Sequence, residues 1–122
     1  MREILFRGKC IATNEWVYGY LDVYNNIYSI VNDDDEYEVK PETIGQYTGL
    51  DDRNGKKIFE GDIICESIYK TGKRNVPDNY YEIRFSQGRF CAYKGSECMN
   101  SMLVYNLFAE VVGNIYDKEV EK

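Results

Sequence analysis

This sequence predicts an all-β or mostly β domain: a small SH3-like barrel with an additional N-terminal β-meander and at most one short helix near 97–108. Three observations carry that reading. Residues 16–23 and 80–85 alternate in side-chain character, the period that a pleated strand imposes on its two faces. Turn formers recur at close intervals, among them Thr13-Asn14-Glu15, Asn25-Asn26, Asn54-Gly55 and Gln87-Gly88. Aromatics are abundant, with 12 Tyr, 5 Phe and 1 Trp, and such residues suit half-buried pleated surfaces.

Taken in order, residues 2–11 hold Ile4, Leu5 and Phe6 ahead of Arg7-Gly8-Lys9, a first strand whose glycine predicts a bulge. Along residues 16–23, Trp16, Tyr18 and Tyr20 fall on one face and Val17, Gly19, Leu21 and Val23 on the other. Both faces are apolar or aromatic, so this strand is covered on both sides or lines an interface. Asn25-Asn26 turns the chain into a third strand at residues 27–31, completing the meander. Asp33, Asp34, Asp35 and Glu36 then repel one another, which predicts a solvated loop over residues 32–38.

The most informative stretch is residues 41–64. Pro41-Glu42-Thr43 predicts a short turn before an extended segment at residues 44–50. Asn54-Gly55 predicts a type I′ hairpin turn, because both of its central residues need positive φ. Gly61 predicts a sharp corner, with Asp62 accepting hydrogen bonds from nearby amides before Ile63-Ile64 enters the core. A strand follows at residues 62–68, then a long exposed loop at residues 69–79. Strands at residues 80–85 and 89–93 form a second hairpin. Met99, Met102, Leu103 and Leu107 recur at near-helical spacing, which suggests the short helix. Residues 110–116 make the last strand, and residues 117–122 a charged tail.

At 122 residues the chain reads as a single domain, 1–122, large enough to bury a core without disulfides or metals. The absence of histidine removes Ser-His-Asp and Cys-His catalysis and the common zinc motifs in one step. Cys10, Cys65, Cys91 and Cys98 form no CxxC and read as reduced thiols of a cytoplasmic protein. The N-terminal apolar run is too short for a signal peptide, and no stretch approaches a membrane span. The net charge of −6 opposes general nucleic-acid binding, yet residues 51–94 carry nine basic against seven acidic side chains.

At this point the residues themselves point to a family. FRGK from Phe6, WVYG from Trp16, PETIGQYTGL from Pro41, NGK and F-EGDII between Asn54 and Ile64, and EVVGNIY from Glu110 appear in one order. The chain resembles the YopX-like family of small proteins found mainly in bacteriophages and in prophage regions of Gram-positive bacteria. The resemblance implies a β fold, a phage-associated intracellular role and a bacterial host cytoplasm. It implies no activity and no active site.

Four candidate sites remain. Asp51, Asp52, Glu60 and Asp62 flank the central turn and would suit a divalent cation, but turn chemistry explains them, and they miss the calcium-loop template: with Gly55 as its glycine, Leu50 falls at the first ligand. A thiolate nucleophile at Cys91 would need Arg89 or Lys94 beside it; a buried, inert thiol is the alternative. Lys70, Lys73, Arg74 and Arg89, with Lys56, Lys57 and Arg84 and beside Tyr69, Tyr80 and Tyr81, combine charge and stacking surface for nucleic acid, against which stands a plain solvated loop. Trp16, Tyr18 and Tyr20 form a candidate interaction face, against which stands burial within one chain.

The reading that follows is a phage-associated, non-enzymatic protein that self-assembles as a homo-oligomer or binds a host or phage protein. No catalytic, metal or cofactor-binding residue is assigned, and no cofactor or membrane partner is expected. The alternatives are a nucleic-acid-associated accessory factor using residues 69–89, or an acidic mimic of DNA around Asp33 to Glu38.

Overall fold

The structure is a computed structural model that describes residues 4–66, 79–101 and 109–117. Its described strands form two antiparallel sheets, ordered β4-β3-β2-β1-β5-β6 and β10-β9-β8-β7-β11. The strands are β1 Phe6–Lys9, β2 Trp16–Tyr24, β3 Ile27–Val31, β4 Glu36–Glu38, β5 Gly45–Asp51, β6 Lys57–Phe59, β7 Asp62–Glu66, β8 Asn79–Ser86, β9 Arg89–Lys94, β10 Glu97–Ser101 and β11 Ala109–Asn114. Neither sheet closes into the SH3-like barrel expected from the sequence, although the all-β class holds. Among the described residues no helix is long and apolar enough to cross a membrane. The chain divides into two compact units, Met1–Gly49 and Leu50–Lys122.

In the first unit, β2 changes partner along its length. Residues 16–19 pair with β1, from Lys9 opposite Trp16 to Phe6 opposite Gly19, and residues 20–24 pair with β3. Gly19 stands at the changeover, where an added Cβ would lie 2.2 Å from the Val31 carbonyl oxygen. Only a bare backbone fits there. The β1–β2 register is continuous through Gly8, so that glycine marks no bulge; Val39 packs over it instead. Asn25 and Asn26 both have positive φ, 51° and 64°, which gives the β2–β3 turn the primed geometry that suits strand twist.

The acidic segment is more ordered than its charge suggests. Asn32 Oδ1 accepts the amides of Asp34 and Asp35 at 2.9 and 3.1 Å, so the aspartates sit in a tight turn. Residues 36–38 then form β4, correcting the expected loop: Tyr37 lies opposite Ile30 and is half-buried, while Glu36 and Glu38 stay exposed. A three-residue strand flanked by charge resists edge-to-edge pairing. Pro41–Thr43 is the expected short turn, a single 3-10 turn. Its Thr43 hydroxyl donates to the Lys40 carbonyl at 2.6 Å and accepts the Lys9 amide at 2.9 Å, tying the turn to β1.

The second unit contains the main apolar cluster: Ile58, Ile64, Tyr81, Ile83, Ala92 and Ala109, with Leu50, Phe90 and Val111 against it. Leading into it, the Asn54-Gly55 turn differs from the expected type. Gly55 has φ 83° but Asn54 is not in the positive region. Asp52 donates its amide to the Lys56 carbonyl at 2.7 Å, and the Gly55 amide reaches the Asp52 carbonyl at 2.9 Å, closing a three-residue loop. Glycine then takes the left-handed place that ends such loops. A second two-residue primed turn, after Asn25-Asn26, occurs at Gln87-Gly88, with φ 54° and 80°, between β8 and β9.

The Gly61 corner is as expected. Gly61 has φ 92°, its amide donates to the Ile83 carbonyl at 2.8 Å, and its carbonyl accepts the Ile115 amide at 2.9 Å. Asp62 is 1% exposed and its Oδ2 accepts the Phe59 amide at 2.8 Å. The segment from 97 differs: residues 97–101 are strand β10, not the start of a helix, and residues 102–108 lie outside the described residues. A bulge between Cys98 and Asn100 breaks the two-residue alternation that marks a strand in sequence.

Candidate interaction surface

Strand alternation sets the side chains of β2 in two rows, and register decides their neighbours. Trp16, Tyr18, Tyr20, Asp22 and Tyr24 share one face. Across from them on β1 stand Lys9 and Arg7, and on β3 Val31, Ser29 and Ile27. Glu36 and Glu38 continue that face on β4.

The three aromatics expected to act together divide into two roles. Trp16 is half-buried beneath cations, with the Arg7 guanidinium 4.4 Å and the Lys9 ammonium 5.4 Å from its ring centroid. Such stacking suits a guanidinium that is only 5% exposed. Tyr18 and Tyr20, by contrast, are 44% and 70% exposed. Two residues missed by the sequence reading extend the row: Tyr24 at 72% and Ile27 at 47% exposure. Tyr24 was legible as the next aromatic in the same alternation, past Asp22. Ile27 becomes its neighbour only through the cross-strand register.

Asp52 and Asp62, two of the four carboxylates of the central turn, are occupied by backbone amides. Asp52 is 6% exposed; its Oδ1 accepts the amides of Asn54 and Lys56 at 2.8 and 2.9 Å, and its Oδ2 accepts the Val111 amide at 2.9 Å. Asp62 is turned to Phe59, as above. Among the described residues no group of three or more Cys, Asp or Glu is placed to hold a metal ion.

Of the nucleic-acid candidates, Lys70, Lys73 and Arg74 lie outside the described residues, and Arg89 is exposed at the start of β9. Tyr81, expected to offer stacking surface, is 6% exposed within the apolar cluster and presents no free ring face. Arg84 is engaged: it pairs with Glu82 at 3.1 Å, donates to the Gly95 carbonyl at 3.1 Å, and stacks 4.7 Å from the Tyr93 centroid.

The cysteines separate by environment. Cys10, Cys65 and Cys91 are buried and Cys98 is exposed. The Thr13 hydroxyl and amide hold the Cys10 thiol below its ordinary value. Burial, aided by a hydrogen bond with Cys98, pushes the Cys91 thiol up against the opposing pull of Arg89. Arg89 is thus near Cys91, as the nucleophile reading required, but burial opposes the thiolate there.

These features define a small antiparallel two-sheet β protein whose described residues expose tyrosines along one face of β2. The chain belongs to the YopX protein family, whose model matches residues 5–119. The crystal structure of protein EF1440 from Enterococcus faecalis shares its fold, with 22% sequence identity, a TM-score of 0.58, and 95% of each chain covered. No curated protein matches the chain.

Proposed function

We propose that this protein is a non-enzymatic, phage-associated interaction module of the bacterial cytoplasm that assembles with a second copy of itself through the tyrosine face of β2 and β3. The observation that carries this reading is the set of Tyr18, Tyr20, Tyr24 and Ile27 on one face, interrupted by Asp22 and all at least 44% exposed. Tyrosine brings a large apolar ring and a hydrogen-bonding tip at low entropic cost, which is why it is enriched at interface centres. Charge favours a second copy over an unrelated partner. Lys9 lies at the β1 edge of the face, with Arg7 buried beside it on Trp16, while Glu36 and Glu38 lie at the β4 edge. Two copies meeting about a two-fold axis would set basic edge against acidic edge.

Native mass spectrometry at micromolar concentration tests this. A dimer or higher oligomer is expected. The Tyr20→Ser, Tyr24→Ser double variant should weaken association at least about tenfold, as loss of central aromatics does. Its melting temperature at concentrations where both proteins are monomeric should match the wild type. A wild-type chain that stays strictly monomeric would remove the proposal.

A further inference from the structure

A pair of thiols in the second unit takes no part in the tyrosine surface. Cys91 lies on β9 and Cys98 on β10, adjacent antiparallel strands joined through Gly95-Ser96. Cys98 stands opposite Tyr93, and Cys91 is two residues from Tyr93 on the same face, so the thiols are diagonal neighbours. Their side chains thus share one face of the β9–β10 pair, and each thiol feels the other. Cys91 is 1% exposed, whereas Cys98 is open to solvent. β10 is the edge strand of its sheet, and the bulge that follows Cys98 leaves its pairing less regular than that of a central strand.

We propose that Cys91 and Cys98 are a redox-sensitive dithiol that closes to an intramolecular disulfide on meeting a small-molecule disulfide, fastening edge strand β10 to β9. The exposed Cys98 thiolate attacks one sulfur of the small disulfide. That S–S bond breaks, one small thiol leaves, and a mixed disulfide remains on Cys98. Cys91 then attacks the Cys98 sulfur, its proton passing to the second small thiolate as that group is expelled. Two protein thiols are oxidised and one small disulfide is reduced to two thiols. Diagonal Cα atoms on adjacent strands stand about 7–8 Å apart, just beyond the span of a disulfide, so closure draws β10 toward Cys91 by a small backbone shift that an edge strand with a bulge allows. The order of steps follows from exposure: Cys98 is reached first, and Cys91 resolves the adduct.

Oxidised glutathione added to the full chain provides the test, followed by alkylation and tryptic digestion without reductant. Lys94 lies between the two cysteines, so the linked form contains FCAYK joined to the peptide that begins at Gly95. That joined peptide is expected in the wild type and should be lost in Cys98→Ser, an exposed substitution compatible with the fold. In Cys98→Ser, Cys91 should remain unmodified while the protein is native. A persistent glutathione adduct on Cys98 with Cys91 free, a disulfide-linked dimer, or an unmodified Cys98 would each overturn the proposal.

Discussion

Replacing Gly61 with valine is expected to cost about 3–4 kcal/mol of stability, from left-handed backbone strain and overpacking, and to lower the melting temperature by roughly 10–15 °C. Two independent penalties combine at this position. Its φ of 92° is one that β-branched residues avoid. In addition, a Cβ placed there would lie 2.8 Å from the Tyr116 ring. Relief by backbone rotation is blocked, because the Gly61 amide and carbonyl are both committed, to Ile83 and Ile115. Gly61→Ala should retain part of the loss, since it keeps the strain and reduces the bulk. Asp51→Asn, at an exposed position, should shift stability by no more than about 0.5 kcal/mol. Thermal unfolding followed by circular dichroism compares the three, and a Gly61→Val protein that melts with the wild type would refute this account of the corner.

Asp52→Ala carries the second large expectation, a loss of about 2–4 kcal/mol in urea denaturation, because three amides lose their acceptor at once. Two of these, Asn54 and Lys56, belong to the turn; the third, Val111, belongs to β11. Next to it, the Arg53 amide donates to the Ala109 carbonyl at 3.0 Å. Since β11 ends its sheet, the turn covers hydrogen-bonding groups that a bare edge would offer to another chain. Asp52→Ala should therefore also raise light scattering during refolding. Asp52→Asn keeps one carbonyl acceptor and should recover part of the stability. An Asp52→Ala protein as stable as the wild type would show that the carboxylate is not what ties the turn to β11.

Much of the fold was legible because its signals are local. The β3 range, the Asn25-Asn26 and Gln87-Gly88 turns, the Pro41 turn and the Gly61 corner all follow from residues within a few positions of one another. The Asn54-Gly55 turn was misread because Asp52, two residues upstream, captures the amides that decide the loop length. β4 was hidden by charge, since only its pairing with β3 shows that Tyr37 is an inward anchor. β10 was hidden by a bulge. The candidate surface was half legible: alternation placed Trp16, Tyr18 and Tyr20 on one face, but no spacing rule reveals that Arg7 and Lys9 arrive from β1 to stack on Trp16.

The change of partner at Gly19 has a mechanical consequence. Beyond it, β2 has left β1, and β4 pairs with β3 only over Ser29, Ile30 and Val31. Past the Val39 amide, which reaches the Tyr28 carbonyl at 2.9 Å, residues 23–27 are a ribbon only two strands wide, a form with little stability of its own in water. Tyr24 and Ile27 at its far end ride on the part of the first unit that gains most from being covered. Amide hydrogen exchange at Val23, Tyr24 and Ile27 should therefore be fast in dilute solution and should slow as concentration drives assembly, with the Ile64 and Ile83 amides unchanged. On that view, binding does not use a finished surface; it completes the folding of the hairpin that presents it.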